Sequence, residues 1–144
     1  MAITFTNNWK NIADKLQSKF RSEFGGALSV YVGEGDHAGN HFLKILPEST
    51  ELSERYIVGE LRQYNFKFIY YFMDANIRQG ALNQMLRILS RIESLIAQNR
   101  SVALADSTTI INGELAGYEI TEGDEGFEYL VEMDYSCQHL GNVS

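Results

Sequence analysis

Residues Arg62–Met73 read RQYNFKFIYYFM, with Tyr64, Phe66, Phe68, Tyr70 and Phe72 on every second position. Successive side chains of a strand point to opposite faces, so this period sets five aromatic rings in a row on one face of a sheet. Asn65, Lys67, Ile69 and Tyr71 fall between them, on the other face. An aromatic row of that size has to be covered, and two helical patterns are the obvious covers.

The first cover lies near the N-terminus. Asn7 and Asn8 can cap a helix starting at about Trp9, and Trp9, Ile12, Ala13, Leu16, Phe20 and Phe24 then recur every three or four residues as one apolar stripe. Gly25-Gly26 ends it. The second cover follows the aromatic strand. Asp74-Ala75-Asn76 supplies turn and cap residues, and a helix is predicted from Ile77 to Asn99. Leu82, Met85, Leu86, Leu89, Ile92 and Ile96 form its main face, widened by Ile88 and Leu95. An arc that wide predicts two contacts, one to the sheet and one to the first helix or to another subunit. Arg87 and Arg91 lie opposite and read as a solvated face, being too few to argue for DNA binding.

Around these elements the pattern is β. Ala27–Val32 and His41–Leu46 read as strands, the second stopped by Pro47, which cannot donate to a central ladder. Residues 33–40 and 48–61 read as long loops. Val102–Leu104 is ambiguous, whereas Thr108–Ile111 and Glu114–Thr121 read as the arms of a hairpin turning at Asn112-Gly113. Gly123, Asp124 and Gly126 mark a further turn into Phe127–Cys137. That last strand alternates cleanly, with Phe127, Tyr129, Val131, Met133 and Tyr135 facing one way and Glu128, Leu130, Glu132, Asp134 and Ser136 the other. The expected fold is therefore α+β: a mostly antiparallel sheet with two helices packed on one face. No repeat or low-complexity tract interrupts it, so a single domain is expected over residues 1–144. Phe66, Phe68, Tyr70, Val131, Met133, Trp9, Leu16, Leu89 and Ile92 are its expected core.

Charge is distributed unevenly. The net charge is −7, but residues 1–100 carry all 12 Lys and Arg against 10 acids, whereas residues 101–144 carry 9 acids and no Lys or Arg. Such an acidic end repels phosphate at contact range, because nucleic-acid binding needs basic groups that displace counterions. Its blandest reading is a solvated face that keeps the chain in solution. One cysteine, Cys137, allows no bridge within the chain. No stretch has the length and apolarity needed to span a bilayer, and no basic-then-apolar start suggests a leader, so a cytosolic chain at synthesis is expected.

Catalytic signals are sparse. Gly33, Gly35 and Gly39 have the wrong spacing for a phosphate cradle, and no helix follows them. Asp36, His37 and His41 offer too few fixed ligands for a metal. Cys137 and His139 would share a strand face but have no orienting third group in the sequence. The carboxylates of 114–134 are many, and none is singled out. No enzyme, cofactor or metal is expected, although a hydrolytic or metal-dependent enzyme using the 33–41 loop remains a weaker alternative. A small monomeric or dimeric binding module with a ligand under the aromatic row is the other.

The order of elements, with the Asn7-Asn8-Trp9 start, the QYNFKFIYYF strand followed at once by a long helix, and the final FEYLVEMDYSC strand, resembles the tail terminator and tail-completion (neck) proteins of tailed bacteriophages. The resemblance covers most of the chain as an element pattern, without a diagnostic motif. It implies a virion protein that assembles into a ring, usually of six subunits, at the head-proximal end of the tail. Its partners would be other copies of itself, the tail tube and the neck or head-completion proteins, with DNA passing through unbound and no membrane involved. On that reading Glu119, Glu122, Glu128, Glu132 and Asp134 are expected to face the channel or a partner. Lys67, Ile69, Tyr71, Arg55 and Tyr56 are expected at subunit contacts.

Overall fold

The computed structural model describes residues 6–33, 41–56, 59–74, 79–123 and 127–142. Helix α1 spans Asn8–Phe24, and its first turn is capped by Asn7, whose side chain accepts the Lys10 N–H at 3.1 Å. Ile12, Ala13, Leu16, Phe20 and Phe24 are buried along one stripe. Gly25 takes φ 56° at its end and donates its N–H to the Arg21 carbonyl, a backbone shape that favours glycine. A short 3-10 turn, Gly25–Ala27, leads into β1, Ser29–Val32. Strands β2, His41–Arg55, and β3, Gly59–Met73, follow, then helix α2, Ala81–Gln98. The chain ends with β4, Val102–Ala103, β5, Thr109–Glu122, and β6, Glu128–Asn142.

These strands form one six-stranded sheet in the order β1-β2-β3-β6-β5-β4. The aromatic strand β3 is central and pairs along its whole length with β6. The sheet is mixed, though largely antiparallel: β1 and β2 run parallel, while the other neighbouring pairs are antiparallel.

Both helices cover the same face. Tyr64, Phe66, Phe68, Tyr70 and Phe72 are buried there beside Leu43, Ile45, Val131 and Met133. Phe68 stacks on Tyr135 at 4.9 Å between ring centroids and meets Phe20 edge-on at 5.6 Å. Trp9, half-buried, meets Tyr64 and Phe66 edge-on at 4.8 and 5.1 Å. The expected core residues therefore lie in the interior, Trp9 at its margin.

Three expectations are corrected. Within 48–61 the described residues up to Arg55 and from Gly59 onward are strand rather than loop. Strand β2 runs through Pro47 to Arg55, paired with β3 as far as Arg55↔Glu60, with register shifts after Pro47 and Leu52. Proline is tolerated because β1 pairs only with Phe42–Ile45, so the outer edge of β2 is free beyond that point, and because a bulge follows it. Asn112-Gly113 is not a hairpin turn either. Asn112 takes φ 54° inside the continuous β5, and the register with β6 shifts between Ile111 and Glu114. Finally, α2 buries Met85, Leu89, Ile92 and Ile96, while Leu82 and Leu86 of the expected main face are exposed.

Candidate functional site

The helix-free face of the sheet brings most of the sequence-derived residues together. Register sets Lys67, Ile69 and Tyr71 of β3 beside Asp134, Glu132 and Leu130 of β6, with Glu119 of β5 opposite Glu132. On the other flank Phe42, Lys44 and Leu46 of β2 lie beside Tyr71, Ile69 and Lys67, and Tyr31 of β1 beside Lys44. The face is thus divided. Toward β1 it is aromatic: Tyr71 stacks on Phe42 at 5.2 Å, and Tyr31 meets Phe42 edge-on at 6.3 Å. Toward β5 it is acidic.

Lys67 stands at the boundary, 3.8 Å from Glu132 and 3.9 Å from Asp134. Both pairs are long and partly exposed, and such pairs contribute at most about 1 kcal/mol. The Tyr71 hydroxyl donates to Glu128 at 2.5 Å, and this carboxylate pushes the phenol up to about 12. Glu119 and Glu132 sit directly opposite one another, a like-charge placement that weakens strand pairing. Glu122 is placed differently. It pairs with Tyr129 and so lies on the helix side, away from Glu119, Glu128, Glu132 and Asp134.

Arg55 and Tyr56 are exposed at the end of the β2–β3 arm; a projecting connection was expected over 48–61, but not that paired strands would build it. Tyr56 donates its hydroxyl to Glu54 and its N–H to the Gly59 carbonyl. The aromatic half of the open face was missed at Tyr31, Phe42 and Lys44. Alternation within His41–Leu46 was the available signal, since Phe42, Lys44 and Leu46 share its parity with the outward face of β3.

The groups considered for catalysis are committed elsewhere. Cys137 is buried, and desolvation pushes its thiol up to about 12, so the reactive thiolate is suppressed. His139, also buried, donates its Nε2–H to Thr108 Oγ1 at 2.8 Å, because the Thr108 hydroxyl spends its one proton on Asp106 at 2.5 Å. His41 Nδ1 donates to the Ala27 carbonyl at 2.9 Å, which leaves Nε2 to accept from Tyr70 Oη at 2.7 Å. Asp36 and His37 lie outside the described residues. Among the described residues no group of three or more His, Cys, Asp or Glu is arranged to hold a metal. No helix there is long and apolar enough to cross a membrane. The aromatic row is closed by packing, with Phe66, Phe68 and Tyr70 fully buried, so a ligand beneath it would find no open ring surface.

No protein-family model matches the sequence, and no curated protein matches it. The fold is matched. A chain from the virion of a native gene transfer agent particle superposes with a TM-score of 0.66, over 95% of this chain and 100% of that one, at 7% identity. A second solved structure gives a TM-score of 0.62, over 96% and 100% of the two chains, at 9% identity. At those identities the similarity is one of fold. It extends across the full element order rather than a shared fragment.

Proposed function

We propose that this chain is a structural virion protein of a tailed bacteriophage or phage-like particle. It forms a ring, of six subunits, at the head-proximal end of the tail, where it terminates the tail tube and joins it to the neck. The observation that carries this reading is the end-to-end fold similarity to a chain of a gene transfer agent virion. The role is structural and requires no catalysis or cofactor. Before assembly the chain resides in the host cytoplasm, and afterwards in the virion.

The divided face supports the ring reading. A genome moving through a ring adheres to a basic wall and slides past an acidic one, over a range of about 10 Å at 0.1 M salt. Glu119, Glu128, Glu132 and Asp134 furnish such a wall, and the unfavourable Glu119–Glu132 juxtaposition has no evident benefit to folding. In this arrangement the aromatic half, with Lys67, Ile69 and Tyr71, meets the adjacent subunit, as does the arm carrying Arg55 and Tyr56. A head-to-tail contact repeated about an axis closes the ring.

Reversing Glu119, Glu132 and Asp134 to Lys tests the wall. Its expected result is particles that assemble normally but deliver DNA poorly. Tails that fail to join would instead place the same charges against a basic neighbour in the neck or tube. Normal assembly with normal infectivity would remove the acidic wall from the account.

A further inference from the structure

The sheet divides the charge of this chain. Its open face is acidic toward β5, with Glu119, Glu132 and Asp134. On the other side α1 carries four Lys and Arg against two acids, and α2 two against one. Half of those cations are engaged within the molecule: Lys10 pairs with Asp14, Arg21 donates to the Val30 carbonyl, and Arg91 pairs with Glu23 at 3.2 Å. Among the described residues no ion pair engages Lys15, Lys19 or Arg87.

These three stand along the seam between the helices. Trp9, at the start of α1, packs on Tyr64 and Phe66. The Arg100 carbonyl, just past α2, takes the Gly113 N–H between Ile111 and Glu114, which face Gln138 and Ser136, the partners of Gln63 and Asn65. The start of α1 and the end of α2 thus lie at one level of β3, and the helices run antiparallel. They meet where Arg91 reaches Glu23 and lies over the Phe24 ring at 4.5 Å. Lys19 and Lys15 lie four and eight residues before Glu23, on the same flank of α1, and Arg87 lies four before Arg91 on the facing flank of α2. Arg87 is therefore beyond the contact in one direction and the lysines beyond it in the other. A groove of about 200 Å³ along α2 is lined by Glu23, Ser90, Arg91, Ser94, Leu95 and Gln98, with Leu95 packed against the core as its apolar floor.

We infer that this seam docks an extended acidic segment of a partner in the neck, its carboxylates on Lys15, Lys19 and Arg87 and its intervening side chains on Leu95. Cations one helical turn apart are separated by about 6 Å and alternate residues of an extended chain by about 7 Å, so carboxylates at every second position fall in step with them. The backbone of such a segment finds hydrogen-bonding groups in Ser90, Ser94 and Gln98. A nucleic acid fits less well. Its affinity grows with the number of phosphates neutralised, three free cations are few, and a net charge of −7 repels it at longer range. The inference rests on the ring reading for the source of the partner, and it puts that partner on the side of the sheet away from the acidic wall.

Binding is tested with a short fluorescent peptide that alternates glutamate with threonine, and with a second of the same composition whose glutamates are contiguous. The alternating peptide should bind the purified protein at low salt, and the contiguous one several-fold more weakly. Lys15→Glu with Lys19→Glu should weaken binding by about tenfold. Lys15→Gln with Lys19→Gln should weaken it less, and Lys44→Glu on the open face should leave it unchanged. Equal binding of the two peptides, undiminished binding to the charge-reversed protein, or tighter binding of a DNA duplex would each overturn the inference. In particles the charge-reversed pair should leave tails of uniform length that fail to join heads. Tails that join normally would overturn the docking and leave the ring reading standing.

Discussion

At His139 a single imidazole ties three parts of the chain together. It bonds Thr108 beyond β4, Thr108 bonds Asp106, and Asn11 of α1 donates to Asp106 at 3.3 Å. Burial holds the His139 pKa below its ordinary value of 6.5, the Asp106 charge only partly opposing that shift, and burial lowers His41 in the same direction. Below pH 6.5 the unfolded chain therefore takes up protons that the folded chain resists. The stability these residues contribute is complete above that pH and is lost as pH falls through their folded values. Thermal melts between about pH 7.5 and 5 should show a falling Tm, with a shallower slope for His139→Gln. An identical slope in that variant would contradict the burial of a neutral ring. The residue was legible in the sequence only as a partner for Cys137; its true partner, Thr108, is 31 positions away and is met across the sheet.

Among the elements, β5 and β2 show where local patterns mislead. Asn-Gly tolerates left-handed backbone, and hairpin turns and strand bulges both use that property. Periodicity on either side could not separate the two, because the choice depends on the Gly113 N–H reaching the Arg100 carbonyl. Likewise Pro47 argues against a central strand but not against a free edge, and edge position is a property of the whole sheet. By contrast, β3 from Arg62 and β6 as far as Cys137 were legible, since each alternates there and buries one face, although β3 begins at Gly59 and β6 runs on to Asn142. The bulge has a measurable consequence. A Cβ on Gly113 would lie 2.7 Å from the Tyr135 hydroxyl, with the Arg100 carbonyl at 3.4 Å, and the ring of Tyr135 is held by its stack on Phe68. Gly113→Ala should destabilise the fold by on the order of 1–3 kcal/mol in chemical denaturation. A neutral result would mean that β5 relaxes away from α2 at that point.

Over the whole molecule, the described residues leave open a divided sheet face and the Leu82–Leu86 flank of α2. The acidic bias of the C-terminal third and the row of carboxylates on β6 were readable from composition and alternation. The grouping fails at Glu122: it stands three positions from Glu119 in an unbroken stretch of register with β6, so alternation sets the two on opposite faces and Glu122 on the helix side. Leu82 and Leu86 follow a helical period as well as any core position, yet β5 does not cover them. No sequence pattern distinguishes an apolar stripe facing its own sheet from one facing a neighbour. These open surfaces on a fold shared with a virion chain are what the ring account explains. Its central claim is that the chain stops tail growth and joins tail to head. The most direct measurement is the length distribution of tails, by electron microscopy, in particles produced without this protein. The account predicts tubes of uncontrolled length, detached from heads and restored to uniform length when the protein is supplied. Tails of normal length joined to filled heads would contradict it.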